Sequence, residues 1–364
     1  MNTNKLQSAL TQVSKVLSSF VKISEEPEWK SAFIQQMLAL ENKMQTPGLD
    51  VREEVTGPLV DALFNEDEIV RKELSDGTVL EFLYRSKVAR DFVMSDPARP
   101  DHAWEPQTTR LLVKLALNAK HIVIGGAYFG DQAILVAKEA AKSGGIVHAF
   151  EPNHDQRKML MHNAGLNSLT NIRTRSEGLW DNCATTLALV GFDSFAFAET
   201  VDADHADAFR TVTVDEYLKS AGIDSVDLIM LDIEGAEFRA LRGASHYLTQ
   251  PVGQAPNLLF EVHRSYVNWE NGLENTEIVR YLTEVGYHVF AVRDFNSNYD
   301  LSRKPIEITP ANAVYLEGPP HGFNMVAVKD MSLLTGPDFL ICKNVSPKLL
   351  RHKAPELHHP LGGL

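Results

Sequence analysis

Three carboxylates crowd one strand-to-helix junction of this sequence, in Val226-Asp-Leu-Ile-Met-Leu-Asp232-Ile-Glu234-Gly-Ala-Glu237. Acids gathered where an apolar strand ends can orient a hydroxyl, hold an amine or ligate a hard divalent cation such as magnesium. Glu234 and Glu237 also fit a plainer role, an acid favouring the start of the next helix. Two more acids close apolar runs: Glu151 in Phe150-Glu151-Pro152-Asn153, and Glu261 in Phe260-Glu261-Val262-His263. His263 is the candidate general base, because neutral imidazole is available near pH 7. Asp232 and Glu261 are its candidate partners at the reacting centre.

A second set of residues has the types and spacing of a nucleoside site. The run 120–124 is short and β-branched and leads into Gly125-Gly126-Ala127-Tyr128-Phe129-Gly130. Small residues let the backbone approach a ligand closely, and a following helix points its N–H groups at it. Gly126, Ala127, Tyr128 and Gly130 are the candidate contacts. Glu151 follows Gly130 by 151 − 130 = 21 positions, where an acid accepts both hydroxyls of a ribose. Trp180, just past the third strand, either stacks on a base or packs in the core. This pairing serves dinucleotides and S-adenosyl-L-methionine alike. The full G-x-G-x-x-G fingerprint is absent, which leans toward the sulfonium cofactor and leaves a nicotinamide oxidoreductase as the rival.

These groups need a scaffold. From about residue 108 the sequence alternates strand, turn and helix, with strands at 120–124, 146–150, 171–176, 226–231 and 257–262 and closing strands at 287–292 and 323–328. Uninterrupted apolar strands between helices predict parallel pairing buried on both faces, a doubly wound α/β sheet. The first hundred residues read differently. Leu6, Leu10, Val13, Leu17 and Phe20, then Phe33, Met37, Leu40 and Met44, form apolar helix stripes, fit for core or for a homo-oligomer contact. Ser75-Asp76-Gly77-Thr78 predicts a hairpin turn, and 95–100 a linker. The division is therefore 1–100, a mainly helical extension acting as cover or interface; 101–330, the catalytic sheet domain; and 331–364, a C-terminal extension. The histidines at 352, 358 and 359 read as a loosely ordered end.

The junction block, continued through Phe238-Arg-Ala-Leu-Arg-Gly243-Ala244, resembles the signature of the FkbM family of class I methyltransferases. Ala149-Phe150-Glu151-Pro152-Asn153, Thr211-Val-Thr-Val-Asp215-Glu-Tyr-Leu218, Phe260 to His263 and Gly286-Tyr287 extend the likeness over about 105–293. The resemblance implies a Rossmann-like class I methyltransferase sheet, S-adenosyl-L-methionine as cofactor, and O-methylation of a hydroxyl on a small-molecule or glycan acceptor, a sugar or natural product. Trp104-Glu105-Pro106 resembles the segment leading into the family's domain. One departure stands out. Where the family carries an acid and an asparagine around the glycine turn, this chain has Ile124 and Tyr128. Asp131 or another loop then supplies the missing carboxylate, or the chain is a homologue that keeps the sheet without turnover.

Composition narrows the rest. The chain has 364 residues, 44% hydrophobic and 23% charged, the proportions of a globular protein. Its net charge of −13 opposes a grip on nucleic acid. Cys183 and Cys342, the two cysteines, are too far apart in sequence for a ribbon or redox motif, which fits a reduced, cytoplasmic setting. No run is long and apolar enough for a membrane helix. A divalent metal, if used, would gather Asp232, Glu234 or Glu261.

Overall fold

The computed structural model of the chain describes residues 3–44, 46–191, 196–295, 299–316 and 322–362, with side chains from residue 11 onward. Two helices open it, α1 (Thr3–Glu25) and α2 (Pro27–Lys43), separated where Pro27 takes the first helical position and removes a backbone donor. The short helix α3 (Gly57–Asp61), the hairpin β1 (Ile69–Glu73) and β2 (Val79–Leu83), and α4 (Lys87–Val93) follow. The predicted turn joins that hairpin, whose strands pair antiparallel from Ile69↔Leu83 to Glu73↔Val79. The two apolar stripes meet different fates. Ile34 and Leu38 of α2 are buried, with Phe33 and Met37 beside them, but Val13 and Leu17 of α1 are 55% and 62% exposed. The side chains of Leu6 and Leu10 lie outside the described residues.

From α5 (Pro106–Leu115) the chain alternates as its rhythm predicts: β3 (His121–Gly125), α6 (Ala133–Ala141), β4 (Ile146–Phe150), α7 (His154–Leu166) and β5 (Ile172–Arg175). Four short strands then form a separate small sheet, β6 (Gly178–Leu179), β7 (Thr186–Val190), β8 (Phe197–Thr200) and β9 (Phe209–Val212). Next come α8 (Val214–Ser220), β10 (Leu228–Leu231), α9 (Glu237–Arg242), α10 (Ser245–Leu248), β11 (Asn257–Val262) and α11 (Glu277–Glu284). The chain closes with β12 (His288–Val292), β13 (Ile306–Pro310), β14 (Phe323–Val328), β15 (Phe339–Ile341) and α12 (Pro355–His358).

The large sheet has the order β15-β13-β12-β14-β11-β10-β3-β4-β5. Strands β5, β4, β3, β10 and β11 run parallel, and β14 lies antiparallel between β11 and β12. This is the doubly wound α/β sheet that the strand–helix rhythm predicts, with two added edge strands. Alternation along β3 feeds both faces. Ile122 and Ile124 pack with Leu111, Ile134 and Phe82 on one side, whereas Val123 joins Leu218, Leu241 and Leu282 on the other. The order reverses between β3 and β10, the switch point where such sheets bind ligands.

Two features seat the flanking segments. The Asn163 and Asn167 amides of α7 exchange hydrogen bonds with the main chain of Glu81 and Val79 at 2.7–2.9 Å, so the N-terminal hairpin docks edge-on to the sheet domain. The tail differs from the loose end expected of it. Arg293 is fully buried, ion-paired to Glu307, and it donates to the carbonyls of Ser346, Leu357 and His359 at 2.8–3.0 Å. A buried guanidinium has more donors than one carboxylate can satisfy, and the tail's carbonyls supply the remainder. Among the described residues no helix is long and apolar enough to cross a membrane. Cys183 is exposed, Cys342 is buried, and both are free.

Candidate functional site

The register of the parallel strands places four residues abreast. Gly125 pairs with Phe150 on one side and Leu231 on the other, and Leu231 pairs with Phe260. The next residue on each strand is therefore Gly126, Glu151, Asp232 and Glu261, a row along the carboxyl edge of the sheet. All four line one cavity of about 770 Å³. Ala127, Tyr128, Trp180 and His263 also line it. Gly130 does not. A Cβ there would stand 2.7 Å from Leu160 and 2.8 Å from Ile134, so this glycine serves the packing of α6 and α7 against the turn.

Gly126 adopts φ +76°, and a Cβ on it would fall 1.7 Å from the Asp232 carbonyl oxygen. The first turn is thus closed directly onto the end of β10. Glu151 is buried. Its carboxylate accepts from the Tyr128 N–H and the Asn153 N–H, both at 2.9 Å. One oxygen thus ties down each loop. Tyr128, at φ +46°, reaches away from the turn to Ser86 Oγ at 3.1 Å, linking the sheet domain to the start of α4. Trp180 is 9% exposed. It packs on Leu187 and Ala236, and the Arg239 guanidinium lies 4.9 Å over its ring.

Acids dominate the floor. Burial and the nearby Asp232 push Asp131 up to about 7. Burial pushes Asp232 up to about 6, and burial with Asp232 pushes Glu234 up to about 8. Glu261 stands well above its ordinary value, from burial and then from Asp232 and Glu234. Oxygens of Asp232, Glu234 and Glu261 lie within 4.8 Å of one another, close enough to share a cation. Glu237 behaves otherwise. It accepts from the N–H groups of Ile233 and Gly235 at 2.9 and 3.0 Å, closing its own turn ahead of α9. The Nδ1 of His263 accepts from the Ser265 N–H at 3.0 Å. That bond assigns the proton of the neutral ring to Nε2, so His263 meets the cavity better as a donor than as a base.

Two cavity residues, Glu105 and Lys348, and the neighbouring Asp294 lay outside the sequence expectations or at their margin. Glu105, buried at φ +47°, holds Asn324 Nδ2 at 2.6 Å, and burial beside Asp294 raises its carboxyl. Such a backbone angle in a non-glycine residue costs energy and persists where the surroundings fix it. Asp294 caps the start of α5 from a distance, accepting from Gln107 and Thr108 N–H at 3.0 and 2.6 Å. Lys348, 6% exposed, comes from the tail and lines the same cavity. The Trp-Glu-Pro lead-in and the positions of Ile124 and Tyr128 hinted that another acid was needed. Nothing local in the sequence singled out Lys348. His102 is fully buried against Asp101 and is not part of the cavity wall.

Residues 125–289 match the methyltransferase FkbM domain. Methyltransferase FkbM from Methylobacillus flagellatus KT aligns with 14% identity and a TM-score of 0.35 over 58% of this chain and 44% of its own, so the chain spans less than half of that protein's length. Precorrin-6y C5,15-methyltransferase from Geobacter metallireducens aligns with 12% identity and a TM-score of 0.34, over 61% of this chain and 87% of its own. TYW2 of M. jannaschii, solved in complex with AdoMet, aligns with 12% identity and a TM-score of 0.35, over 72% and 86%. No curated protein matches the chain. The matched segment contains the glycine turn, Glu151, Asp232 and Glu261, and there the chain is similar to the methyltransferase FkbM domain.

Proposed function

We propose that the protein transfers the methyl group of S-adenosylmethionine to a hydroxyl oxygen of a small-molecule or glycan acceptor. The single observation behind this reading is the row Gly126, Glu151, Asp232 and Glu261, abreast at the strand ends and facing one large cavity. The cradle fits the cofactor in shape and charge. Gly126 leaves open backbone where any Cβ would collide, and Glu151 lines the cavity as the acid that accepts from the ribose hydroxyls. Asp131, Asp232 and Glu261 suit a ligand bearing a sulfonium and an ammonium. The same acids would repel a dinucleotide's diphosphate, which disfavours the nicotinamide reading. Asp131 stands as the carboxylate that compensates for Ile124.

When bound, S-adenosylmethionine supplies an electrophilic methyl carbon open to in-line attack by oxygen. The chain's part is to position that oxygen and remove its proton. Asp232 is assigned as the base: its carboxyl titrates near 6, close to the working pH where a general base is most effective. Glu261 beside it shares the proton, and His263 Nε2–H orients the acceptor oxygen. Glu151 holds the ribose and Trp180 borders the adenine.

Calorimetry with S-adenosylhomocysteine and with NAD tests the cavity. Micromolar binding of the first and none of the second is expected. Glu151→Gln should weaken S-adenosylhomocysteine about tenfold or more, since hydrogen bonds to a charged partner are lost. NAD preference, or unchanged affinity in Glu151→Gln, overturns the reading. Incubation of acceptor pools with methyl-labelled cofactor then identifies the methylated compound.

A further inference from the structure

The acid floor of the cavity faces a wall that carries cations. Arg52, Lys87, Arg90, Arg351 and Lys353 line it, and all five lie outside the segment that matches the methyltransferase domain. Lys87 is tied to Asp91 and Arg90 to Glu53, each at 2.8 Å, and Lys353 is exposed. Two guanidiniums keep a buried nitrogen without a hydrogen-bond partner: Arg52 Nη1 and Arg351 Nε. A buried donor left unpaired is costly, so two of them on the wall of one cavity point to a ligand that pairs them.

The two arginines offer different things. Arg52 is 5% exposed, and its Nε and Nη2 donate to Glu41 at 3.1 and 2.7 Å. Its Nη1 stands 3.7 Å from Asp91, near enough for attraction and too far for a hydrogen bond. The charge of Arg52 is thereby balanced, and what it offers is a donor. Arg351 forms no ion pair among the described residues; its guanidinium lies 4.6 Å over the ring of Tyr299, which Arg52 also approaches, at 5.4 Å. Arg351 offers charge.

Both are held by built structure. The Tyr299 ring packs on Phe295, Leu301 and Leu349. The tail segment is pinned on either side of Arg351, by the Leu349 N–H to the Asp294 carbonyl and by the Gly48 N–H to the His352 carbonyl, both at 2.8 Å. A recess of about 50 Å³ adjoins the main cavity here, lined by both arginines and Tyr299, with Glu41 bonded to Arg52 and Asp50 facing His352 at 3.5 Å.

We propose that Arg351 and Arg52 bind an oxyanion of the acceptor, a carboxylate or a phosphate, so that the methylated substrate is an acidic compound of the uronic acid or sugar phosphate kind. Guanidinium N–H groups match the oxygens of either anion. This assignment rests on the cofactor reading above, in which the sulfonium takes the acid floor and the acceptor enters along the opposite wall.

Calorimetry on the full chain tests it, with S-adenosylhomocysteine first and then, on the loaded protein, with inorganic phosphate and with malonate. At least one anion should bind at millimolar concentration or below, and the preferred one tells a phosphorylated acceptor from a carboxylated one. Arg351→Gln should weaken that anion about tenfold or more and leave S-adenosylhomocysteine unchanged, and Arg351→Lys, which keeps the charge without the fork, should recover part of the loss. A wild-type protein that binds neither anion overturns the assignment without any variant, as does equal anion affinity in Arg351→Gln. If Arg351→Gln weakens S-adenosylhomocysteine as much as the anion, the guanidinium serves the cofactor's own carboxylate and the assignment falls. Anion binding in a wild-type protein that does not bind S-adenosylhomocysteine overturns the cofactor reading instead, and with it the identity of the anion as acceptor.

Discussion

Gly126 and Asp232 touch main chain to main chain, so closely that a single methyl group on the glycine would overlap the aspartate's carbonyl oxygen at 1.7 Å. The contact joins the first and fourth strands of the parallel series at the switch point, and it fixes the floor on which both Asp232 and the glycine turn are presented. Gly126→Ala must push the turn off β10 and also hold alanine at φ +76°. We expect a loss of about 1–3 kcal/mol of stability and at least a tenfold loss of S-adenosylhomocysteine affinity, read by urea unfolding and calorimetry. A stable variant with undiminished affinity would show that this turn does not shape the ligand site.

The crowded acids predict how pH acts. In the folded chain Asp131 titrates near 7, Glu234 near 8 and Asp232 near 6, whereas all three titrate near 4 when unfolded. Between pH 4 and pH 8 the native state therefore keeps protons that the unfolded chain has released, so these groups withdraw stability as pH rises through that window. A bound cation reverses the trend, since it favours the ionised carboxylates. S-adenosylmethionine should bind about three- to tenfold more tightly at pH 8 than at pH 6 and release protons on binding. S-adenosylhomocysteine, without the sulfonium charge, should respond less. Calorimetry in buffers of different ionisation enthalpy reads the proton release directly. Proton uptake would contradict the charge assignment, as would an unchanged pH slope of melting temperature in Glu234→Gln.

What the sequence made legible follows the local signals it contains. Strands buried on both faces are continuous apolar runs, and β11 and β14 lie where those runs stand. The acids at 151, 232 and 261 were visible because each directly follows such a run. The small sheet of β6 to β9 was missed: its strands are two to five residues long and leave little periodicity. Lys348 was invisible for a different reason. Its place in the cavity wall depends on contacts between Arg293 and tail carbonyls more than fifty residues away, and no local pattern encodes such contacts. Gly130 looked like a ligand contact because a glycine opening a helix serves close packing and close ligand approach equally well. His263 could be placed at a strand end from sequence, but its tautomer depends on the Ser265 N–H.

Transfer kinetics separate the carboxylate from the imidazole. Asp232→Asn keeps shape and removes the base, so kcat should fall about 10²- to 10⁴-fold, with the acidic limb of the pH–rate profile lost. His263→Gln keeps a side-chain N–H donor, and kcat should fall by no more than about tenfold. The reverse order, with His263→Gln inactive and Asp232→Asn near wild type, would return the base to the histidine and require its Nδ1 bond to Ser265 to break during turnover.

Arg293 carries the last prediction, on stability and on the site together. It is fully buried, shares an ion pair with Glu307, and binds three tail carbonyls. Arg293→Met leaves Glu307 as a buried charge without its partner, and removing one member of such a pair costs about 3–5 kcal/mol. Changing both residues, Arg293→Met with Glu307→Leu, removes the stranded charge and should recover a large part of that loss, yet the tail carbonyls would still lack their donor. The double variant is therefore expected to fold well while binding S-adenosylhomocysteine more weakly than wild type, because the clamp that seats the cavity-lining tail segment is gone. Denaturant unfolding supplies the first measurement and calorimetry the second. Recovery of stability together with full ligand affinity would show that the tail finds its place without Arg293.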